Sequence, residues 1–387
     1  PPRETATGLR VAPTASGTVT VDVAGAVVVR IDGAGPAELG AIERQIGPST
    51  EGTGREPDLV IRFEERIPRD GGLRLIGVHD AGFTDDRFLL LRGRQKSPAV
   101  VQVGFDPATH PIEVVCERGL RSVPLLIPLV NLAALRRGIV PVHGALVVHE
   151  DRGILVVGWS KGGKTETVLA FMDAGASFVG DEWVYVHPDG TGTGIPEPTR
   201  IWDWQLKQFP EVRGRIERRT RARLWTTGHL ADLLARTASS RSVGRSVVGD
   251  VARRGEPIVR AQASVQRFPR QLYGADRLRP SARIDVVMAA VSRADELISL
   301  RDEPLERLID RIAISNEHER LDLHAAIDKY RFAFPEAPVL DPGSLTDRER
   351  DLLRGALAGR PGWILEHPYP PDIRSLYVAA RPVLRST

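Results

Sequence analysis

One glycine-rich stretch near the middle of the chain contains the residue types that bind phosphate groups. It fits the pattern G-x-x-x-x-G-K-[ST] and consists of Gly158, Trp159, Ser160, Lys161, Gly162, Gly163, Lys164 and Thr165. Glycines let successive backbone N–H groups turn inward around a phosphate. In this pattern the lysine reaches the outer phosphates of a nucleotide, and the threonine hydroxyl binds Mg²⁺. The stretch therefore predicts a phosphate-binding loop, and we interpret its residues other than Trp159 as nucleotide contacts.

The residues on either side of this loop have the patterns of a strand and of a helix. Residues 154–157 (Ile-Leu-Val-Val) form a short apolar run that is typical of a buried strand. Residues 165–174 carry apolar side chains on one helical face, and Gly175 is a typical helix stop. The N-terminus of a helix favours a bound anion, because its backbone dipoles add partial positive charge there. Strand, loop and helix thus follow in the order that phosphate binding requires.

Two adjacent carboxylates, Asp181 and Glu182, follow the next predicted strand, which covers residues 177–179. Residues 183–186 predict a further strand directly after them. In enzymes that transfer phosphoryl groups, carboxylates bind Mg²⁺ and accept the proton of the attacking hydroxyl. The pair therefore predicts metal binding and catalysis, although solvated acids at a strand end would have the same pattern.

The strand before the loop has a close neighbour in the sequence. Residues 145–148 predict a strand, and residues 150–153 (Glu-Asp-Arg-Gly) predict a tight turn into residues 154–157. A turn this short joins antiparallel strands, since parallel strands need a crossover of a dozen or more residues. The sequence thus predicts a mixed sheet and not a doubly wound parallel sheet.

Together these motifs resemble those of a known family. His143-Gly144, the hairpin, the loop followed by Glu166-Thr167, and Gly180-Asp181-Glu182 look like the catalytic domain of HPr kinase/phosphorylase and the related HPr-kinase-like serine kinases. The resemblance covers about residues 141–190. It implies an α/β fold with a P-loop mixed-sheet kinase domain, similar to the nucleotide domain of phosphoenolpyruvate carboxykinase. It also implies ATP and Mg²⁺ as cofactors.

The resemblance implies a role for each matching residue. Asp181 would accept the proton of the acceptor hydroxyl, and His143 would lie beside the transferred phosphate. A packed histidine at a strand end is the alternative for His143. Glu166 would contact the nucleotide and help to place the metal. The implied catalytic residues are Asp181, Lys164 and His143, and the implied metal ligands are Thr165, Glu166 and Glu182.

The predicted acceptor is a serine-type hydroxyl of a small molecule, a free amino acid or a peptide. The family's glycine- and arginine-containing signature for recognising HPr is not found after the acidic pair, so we expect an acceptor other than HPr. Two other functions fit these residues. Trp159 and Lys161 inside the loop favour a nucleotide-binding regulatory or assembly ATPase without phosphotransfer. A carboxykinase-like enzyme acting on a carboxylic acid would need further basic groups.

A cluster of arginines after residue 210 could supply such basic groups. It consists of Arg213, Arg215, Arg218, Arg219, Arg221 and Arg223. The cluster could contact phosphates or an acidic partner, and a solvated helix face or mobile loop would have the same composition.

The composition narrows the class of protein. Of the 387 residues 42% are hydrophobic, which suffices for sizeable cores, and the net charge is only +3, so we expect no nucleic-acid partner. No apolar run approaches the roughly 20 residues of a transmembrane helix, and the start lacks a signal pattern. We therefore expect no membrane partner and a cytoplasmic location. Cys116 is the only cysteine, which suits a reducing compartment, and its apolar neighbours predict a core position.

The chain is predicted to consist of four segments. They are a disordered tail (1–16), an N-terminal β-rich or α+β domain of unknown role (17–122), the kinase core (123–335) and a C-terminal helical segment packed on that core (336–387). Residues 205–260 are predicted to be a mobile insertion, in which 239–255 form a loop or lid. Thr346 and Glu349 match a capping box before a helix. The resemblance is compatible with a homo-oligomer.

Overall fold

The computed structural model describes residues 17–47, 54–69, 72–93, 97–195, 197–239 and 247–385. The predicted disordered tail and residues 240–246 of the predicted loop lie outside these ranges. The described chain has a mixed α/β structure with two large mixed sheets, which confirms the predicted α/β class at this level. No helix in these ranges combines the length and the apolar content that crossing a bilayer requires.

The first sheet has eight strands and is built from the N-terminal part of the chain. Its strands are β1 (Thr18–Val23), β2 (Val27–Asp32), β3 (Leu59–Glu64), β4 (Arg74–Ile76), β5 (Ala81–Phe83), β6 (Phe88–Arg92), β7 (Pro98–Val103) and β8 (Ile112–Glu117). Their order is β1-β2-β3-β8-β7-β6-β5-β4, and only β2–β3 and β3–β8 are parallel pairs in the described sheet. Helix α1 (Pro36–Ile46) forms the crossover that parallel β2 and β3 require.

Cys116 lies in the core of this sheet. Its side chain on β8 is fully buried, and burial raises the pKa of the thiol to about 12. The thiolate, which is the reactive form of cysteine, is therefore scarce at neutral pH. The predicted core position of Cys116 is confirmed.

The second sheet has nine strands and carries the predicted phosphate loop. The strands after residue 139 are β9 (Val140–His149), β10 (Arg152–Val157), β11 (Ser177–Gly180), β12 (Trp183–Val186), β13 (Thr191–Gly194), β14 (Thr199–Trp202), β15 (Ser264–Arg267), β16 (Ser281–Arg283), β17 (Val286–Arg293), β18 (Ser299–Asp302) and β19 (Gly362–Pro368). The order is β16-β13-β12-β9-β10-β17-β19-β18; β11 also pairs with β9, and β14–β15 is a separate ladder. β9 and β10 are antiparallel, whereas β10–β17 and β17–β19 are parallel. The predicted hairpin and mixed sheet are therefore correct.

The remaining helices of the described chain include those that cover the two faces of the second sheet. After α1 they are α2 (Leu126–Arg136), α3 (Lys164–Asp173), α4 (Asp203–Gln208), α5 (Pro210–Gly214), α6 (Arg218–Ser239), α7 (Val247–Gln262), α8 (Pro269–Tyr273), α9 (Leu305–Glu319), α10 (Leu321–Ala333), α11 (Pro342–Ala356) and α12 (Ile373–Ala380), with a 3-10 helix at Arg381–Arg385. α3 and α12 share a core with one face, and α9 and α11 share a core with the other.

The strand that leads into the loop shows why its own sequence is apolar throughout. Ile154 and Val156 of β10 pack with α3, whereas Leu155 and Val157 pack with the α9 side. Successive residues of a strand point to opposite faces, so a strand covered on both faces needs a continuous apolar run. This is the run from which the buried strand was predicted.

The predicted mobile loop over 239–255 is wrong for residues 247–255, which belong to α7. This helix lies along α6, and Ala252 is buried between them. Most helices in proteins are stabilised by such packing and not by local propensity. A Gly- and Arg-rich segment can therefore form a helix although its sequence lacks the usual signals.

The predicted capping box is also wrong. Helix α11 starts earlier, where the Asp341 carboxylate accepts a hydrogen bond from the Ser344 backbone N–H (3.0 Å). Thr346 and Glu349 lie inside the helix and face the core. There the Arg320 guanidinium donates to the Glu349 carboxylate and to the Thr346 hydroxyl (3.1 Å). The spacing of Thr346 and Glu349, which resembles a capping box, thus places both side chains in a buried ionic cluster.

We expect Glu349→Ala to lower the free energy of unfolding by about 3 kcal/mol, because it leaves the buried Arg320 guanidinium unpaired. Glu306→Ala is the matched control, since Glu306 pairs with Arg354 at the surface. An exposed pair contributes less than about 1 kcal/mol. Urea unfolding of both variants tests this expectation, and equal losses of stability would contradict it.

Candidate functional site

The glycine loop, residues 158–163, connects β10 to α3 in a conformation that side chains disfavour. Gly158 and Gly163 have φ of 153° and 105°. A Cβ on Gly158 would lie 2.6 Å from the Ala290 carbonyl oxygen of β17, so the loop backbone runs directly against the sheet. The Gly162 N–H donates to the Trp159 carbonyl (2.9 Å), which closes a turn within the loop. The loop therefore depends on glycine at these places.

Lys164 is the first residue of α3 and is 6% exposed. Its Nζ donates to the carbonyl oxygens of Gly158 and Trp159, both at 3.1 Å. Burial lowers the pKa of Lys164, and the nearby carboxylates of Glu182 and Asp181 oppose that shift. The loop thus encloses the lysine ammonium at the N-terminus of a helix, where an anion is favoured.

Asp181 follows the short strand β11 and lies against the start of α3. Its Oδ2 accepts a hydrogen bond from the Thr165 hydroxyl (3.3 Å), and its Oδ1 accepts one from the Glu182 backbone N–H (3.0 Å). Only 2% of Asp181 is exposed, and desolvation, followed by the charge of Glu182, raises its pKa to about 7. The fold therefore brings the predicted loop and the first predicted carboxylate together.

His143 connects Glu182, the second of the two adjacent carboxylates, to helix α9. Its Nε2 lies 3.3 Å from the Glu182 Oε2. Its Nδ1 lies 3.4 Å from the Glu319 Oε1 and 3.4 Å from the Ser315 hydroxyl. Glu182 has a left-handed backbone (φ 70°), which turns its side chain away from the buried Asp181 and leaves about half of it exposed. The two adjacent acids thus have different partners.

Helix α9 supplies several site residues that we did not predict. Asn316 accepts the backbone N–H of His143 (2.9 Å) and donates to the Pro141 carbonyl (2.7 Å), so it anchors β9. The ring of His318 stacks on Trp159 at 4.5 Å between centroids. The sequence held one signal: Asn316 is a polar residue on the apolar stripe that includes Leu308 and Ile312.

Glu166 lies away from this network. It is buried, and its Oε1 accepts a hydrogen bond from Gln205 Nε2 of α4 (2.9 Å). Burial raises the pKa of Glu166. Glu166 is therefore hydrogen-bonded to α4. Thr165, in contrast, is hydrogen-bonded to Asp181, and Glu182 lies beside His143. Its implied metal role stays a prediction.

A third carboxyl group, Glu197, lies close enough to interact with the acidic pair. Its Oε1 is buried and has no hydrogen-bond partner in the described part of the chain. Burial, and then the charges of Glu182 and Asp181, raise the pKa of Glu197 well above its usual value. Carboxylates held this close repel one another when charged. The arrangement therefore favours either protonation of a carboxyl group or binding of a cation.

Oxygen donors of the kind that Mg²⁺ takes are present at this place. Among the residues described, no group of three or more His, Cys, Asp or Glu side chains has a metal-binding arrangement. Mg²⁺, however, is commonly held by one or two protein oxygens together with substrate phosphates and waters. The Thr165 hydroxyl beside Asp181, with the orphaned Glu197 oxygen, fits that requirement.

His367 of β19 supports the glycine loop from the sheet. It is fully buried, and its Nε2 lies 3.2 Å from the Gly162 carbonyl oxygen. A Cβ on Gly163 would lie 1.9 Å from that nitrogen. No motif in the sequence indicated His367, because its role depends on a contact between distant parts of the chain.

We expect Gly163→Ala to lower the free energy of unfolding by several kcal/mol, roughly 3, because the methyl group meets a buried ring. Gly175→Ala is the matched control: its φ of 101° is nearly the same, but its Cβ would meet nothing within 4 Å. Thermal unfolding compares the two variants. Adding His367→Ala should restore part of the stability of Gly163→Ala, and no restoration would show that the clash is not the cause.

No protein-family model and no curated protein matches the chain. Among solved structures, it is similar to the HPr(Ser) kinase/phosphatase from Coxiella burnetii. The sequence identity is 11%, the likeness covers 62% of this chain and 93% of that chain, and the TM-score is 0.26. This likeness is distant and assigns no residue of this chain a role.

Proposed function

We propose that this protein is a kinase that binds ATP with Mg²⁺ at the glycine loop and transfers the γ-phosphate to a hydroxyl group. The acceptor is a serine-type hydroxyl on a small molecule, a free amino acid or a peptide. The observation that carries the proposal is the hydrogen bond between Thr165 and Asp181, which joins the start of the loop helix to a buried acid. Phosphoryl transfer needs such positioning and charge neutralisation more than covalent catalysis.

In the proposed reaction Asp181 accepts the proton of the acceptor hydroxyl as its oxygen bonds to the γ-phosphorus. The bond from that phosphorus to the bridging oxygen breaks, and ADP leaves. A pKa of about 7 suits this role, since a general base is most effective when its pKa lies near the working pH. Lys164, whose ammonium lies within the loop, would balance charge on the outer phosphates.

Mg²⁺ would be held by the Thr165 hydroxyl with Glu182, and would supply further neutralisation of the phosphate charge. His143, which has a carboxylate beside each ring nitrogen, would donate a hydrogen bond to the transferred group once one of those contacts opens. Glu166 keeps α4 against α3 in this proposal.

Mass spectrometry tests the proposal directly. The protein is incubated with ATP, Mg²⁺ and a panel of hydroxyl acceptors, including free serine and serine-containing peptides, beside Lys164→Ala. A gain of one phosphate on an acceptor, absent with the variant, is the expected result. ATP binding without transfer to any acceptor would instead indicate the regulatory module, which the Trp159–His318 stack at the loop favours. Nucleotide turnover that requires oxaloacetate would indicate a carboxykinase-like enzyme.

A further inference from the structure

Helices α6 and α7 form an antiparallel pair that we call the helical arm. Arg223 near the start of α6 donates to the Gln262 carbonyl at the end of α7 (3.2 Å), and Arg260 pairs with Asp232 (3.4 Å). The two helices pack mainly on each other, and few contacts join them to the rest of the chain. The arm therefore exposes most of its surface.

One face of α6 carries aromatic and basic residues at helical spacing, all exposed except the half-buried Arg221. Its members lie three or four residues apart, which places them on one side of the helix. This basic aromatic stripe consists of Arg218, Arg221, Trp225, His229, Leu233 and Arg236. Trp225 lies near its centre, is 51% exposed and packs on His229 with 4.2 Å between ring centroids. The buried side of α6 is apolar and includes Leu224 and Ala231.

Positive charge is concentrated on this part of the chain. Residues 211–239 contain seven arginines and three acidic residues, whereas the whole protein has a net charge of only +3. Within the ranges that the structure describes, Arg218, Arg219 and Arg221 take part in no ion pair, whereas Arg253 and Arg260 of the arm do. At the base of the arm, these three arginines are thus paired with no acid in the described part of the chain.

Large apolar side chains are also exposed on the arm. They are Leu230 and Leu233 on α6 and Val251 and Ile258 on α7, each about half exposed or more. A cluster of exposed apolar side chains is typical of a surface that binds another molecule. A partner that covers it must bring apolar side chains together with negative charge.

We propose that the helical arm is a docking surface for an acidic amphipathic peptide segment. Acidic side chains of the segment pair with Arg218, Arg219 and Arg221, and its apolar side chains cover Trp225 and Leu233. A nucleic acid would satisfy the arginines but leave the exposed leucines in water. A second copy of the arm in a symmetric contact would place arginines opposite arginines, which is unfavourable.

The arm is attached close to the candidate site. Gly228 of α6 packs against Asp203 at the start of α4, where a Cβ on the glycine would lie 2.9 Å from the carboxylate. Gln205 of the same α4 bonds to Glu166 of α3. The arm therefore contacts α4, and α4 in turn contacts α3, the helix that follows the glycine loop. A segment bound to the arm is thus connected to α3 through α4. The docking surface goes beyond the proposed phosphotransfer and is tested by binding alone, without ATP, so either proposal can fail separately.

Fluorescence anisotropy tests the surface on the full chain. The probe is a fluorescein-labelled helical peptide of about 18 residues, long enough to form a stable helix, with leucines on one face and glutamates on the other. We expect saturable binding that weakens as salt is added. Arg218→Glu with Arg221→Glu should weaken binding at least about tenfold, since two ion pairs become repulsive contacts. Trp225→Ala should also weaken it.

Matched controls separate this surface from net charge. Arg66→Glu with Arg374→Glu changes the net charge equally at exposed positions outside the arm, and should leave binding unchanged. A peptide with lysines in place of glutamates should not bind. The proposal is overturned if the acidic peptide does not bind, or if the control variant weakens binding equally. It is also overturned if a single-stranded DNA competes through the same arginines, or if the chain self-associates through them.

Discussion

Lys164→Ala is expected to lower phosphotransfer by roughly a hundredfold or more, the usual effect of removing one preorganised donor from a developing charge. The lysine ammonium lies between the Gly158 and Trp159 carbonyls and is almost completely buried, so no neighbouring lysine can replace it. Kinetics with the acceptor found by mass spectrometry measure the loss. Nucleotide affinity should fall in parallel, since in the proposed site the same charge would contact the ground-state phosphates.

Lys161→Ala is the matched control for this variant. Lys161 lies in the same loop, where its predicted nucleotide contact would come from the backbone N–H that alanine keeps, while its side chain is exposed. Its removal changes the net charge by the same amount, and the rate should stay within a few-fold of wild type. If both variants lose the same activity, the loss reflects the positive charge of the loop in general and not the enclosed ammonium.

Asp181→Asn is expected to lower the rate by a hundredfold to about ten-thousandfold, the range assigned to general bases, while ATP binding persists. In wild type the rate should increase as the pH rises through about 7, because the carboxyl group must lose its proton to act as the base. The Asn variant should lack that increase. A wild-type rate that is constant from pH 5 to pH 9, or an active Asn variant, would refute the base assignment.

The raised pKa of Asp181 predicts the opposite pH dependence for the stability of the fold. Its pKa rises from 3.8 to about 7 on folding, so its contribution is most favourable below pH 4 and is lost as the pH rises towards 7. An amide is uncharged throughout this range. The Tm of Asp181→Asn should therefore exceed that of wild type at pH 8 by more than at pH 4. Function and stability would thus place opposite demands on this position, as is common at active sites.

The local features of the candidate site could be predicted because they depend on neighbouring residues. The strand before the loop, the antiparallel hairpin and the helix after the loop all follow from short patterns between residues 145 and 175. The same patterns indicated Asp181, since it ends the next strand. What they could not indicate is that Asp181 is buried while the adjacent Glu182 turns outward, because that depends on one left-handed residue.

The features that were missed depend on contacts between distant segments. Asn316, Glu319 and His367 reach the site from α9 and β19, more than a hundred residues after the loop. A single polar residue on an apolar stripe is a weak signal when the partner is unknown. The capping-box prediction for Thr346 and Glu349 was wrong for the same reason. Their spacing fits a cap, but in the folded chain both side chains contact a buried arginine instead.

The position of β19 also sets an order of events during protein synthesis. This strand pairs with β17 over seven residues and places His367 beneath the glycine loop, yet the ribosome makes it long after the loop. Until then a nascent chain has an open edge at β17 and no support beneath the loop. For the nucleotide site that we propose, the support from His367 is therefore present only after residue 368 has been synthesised, and we expect prematurely terminated chains not to sequester nucleotide.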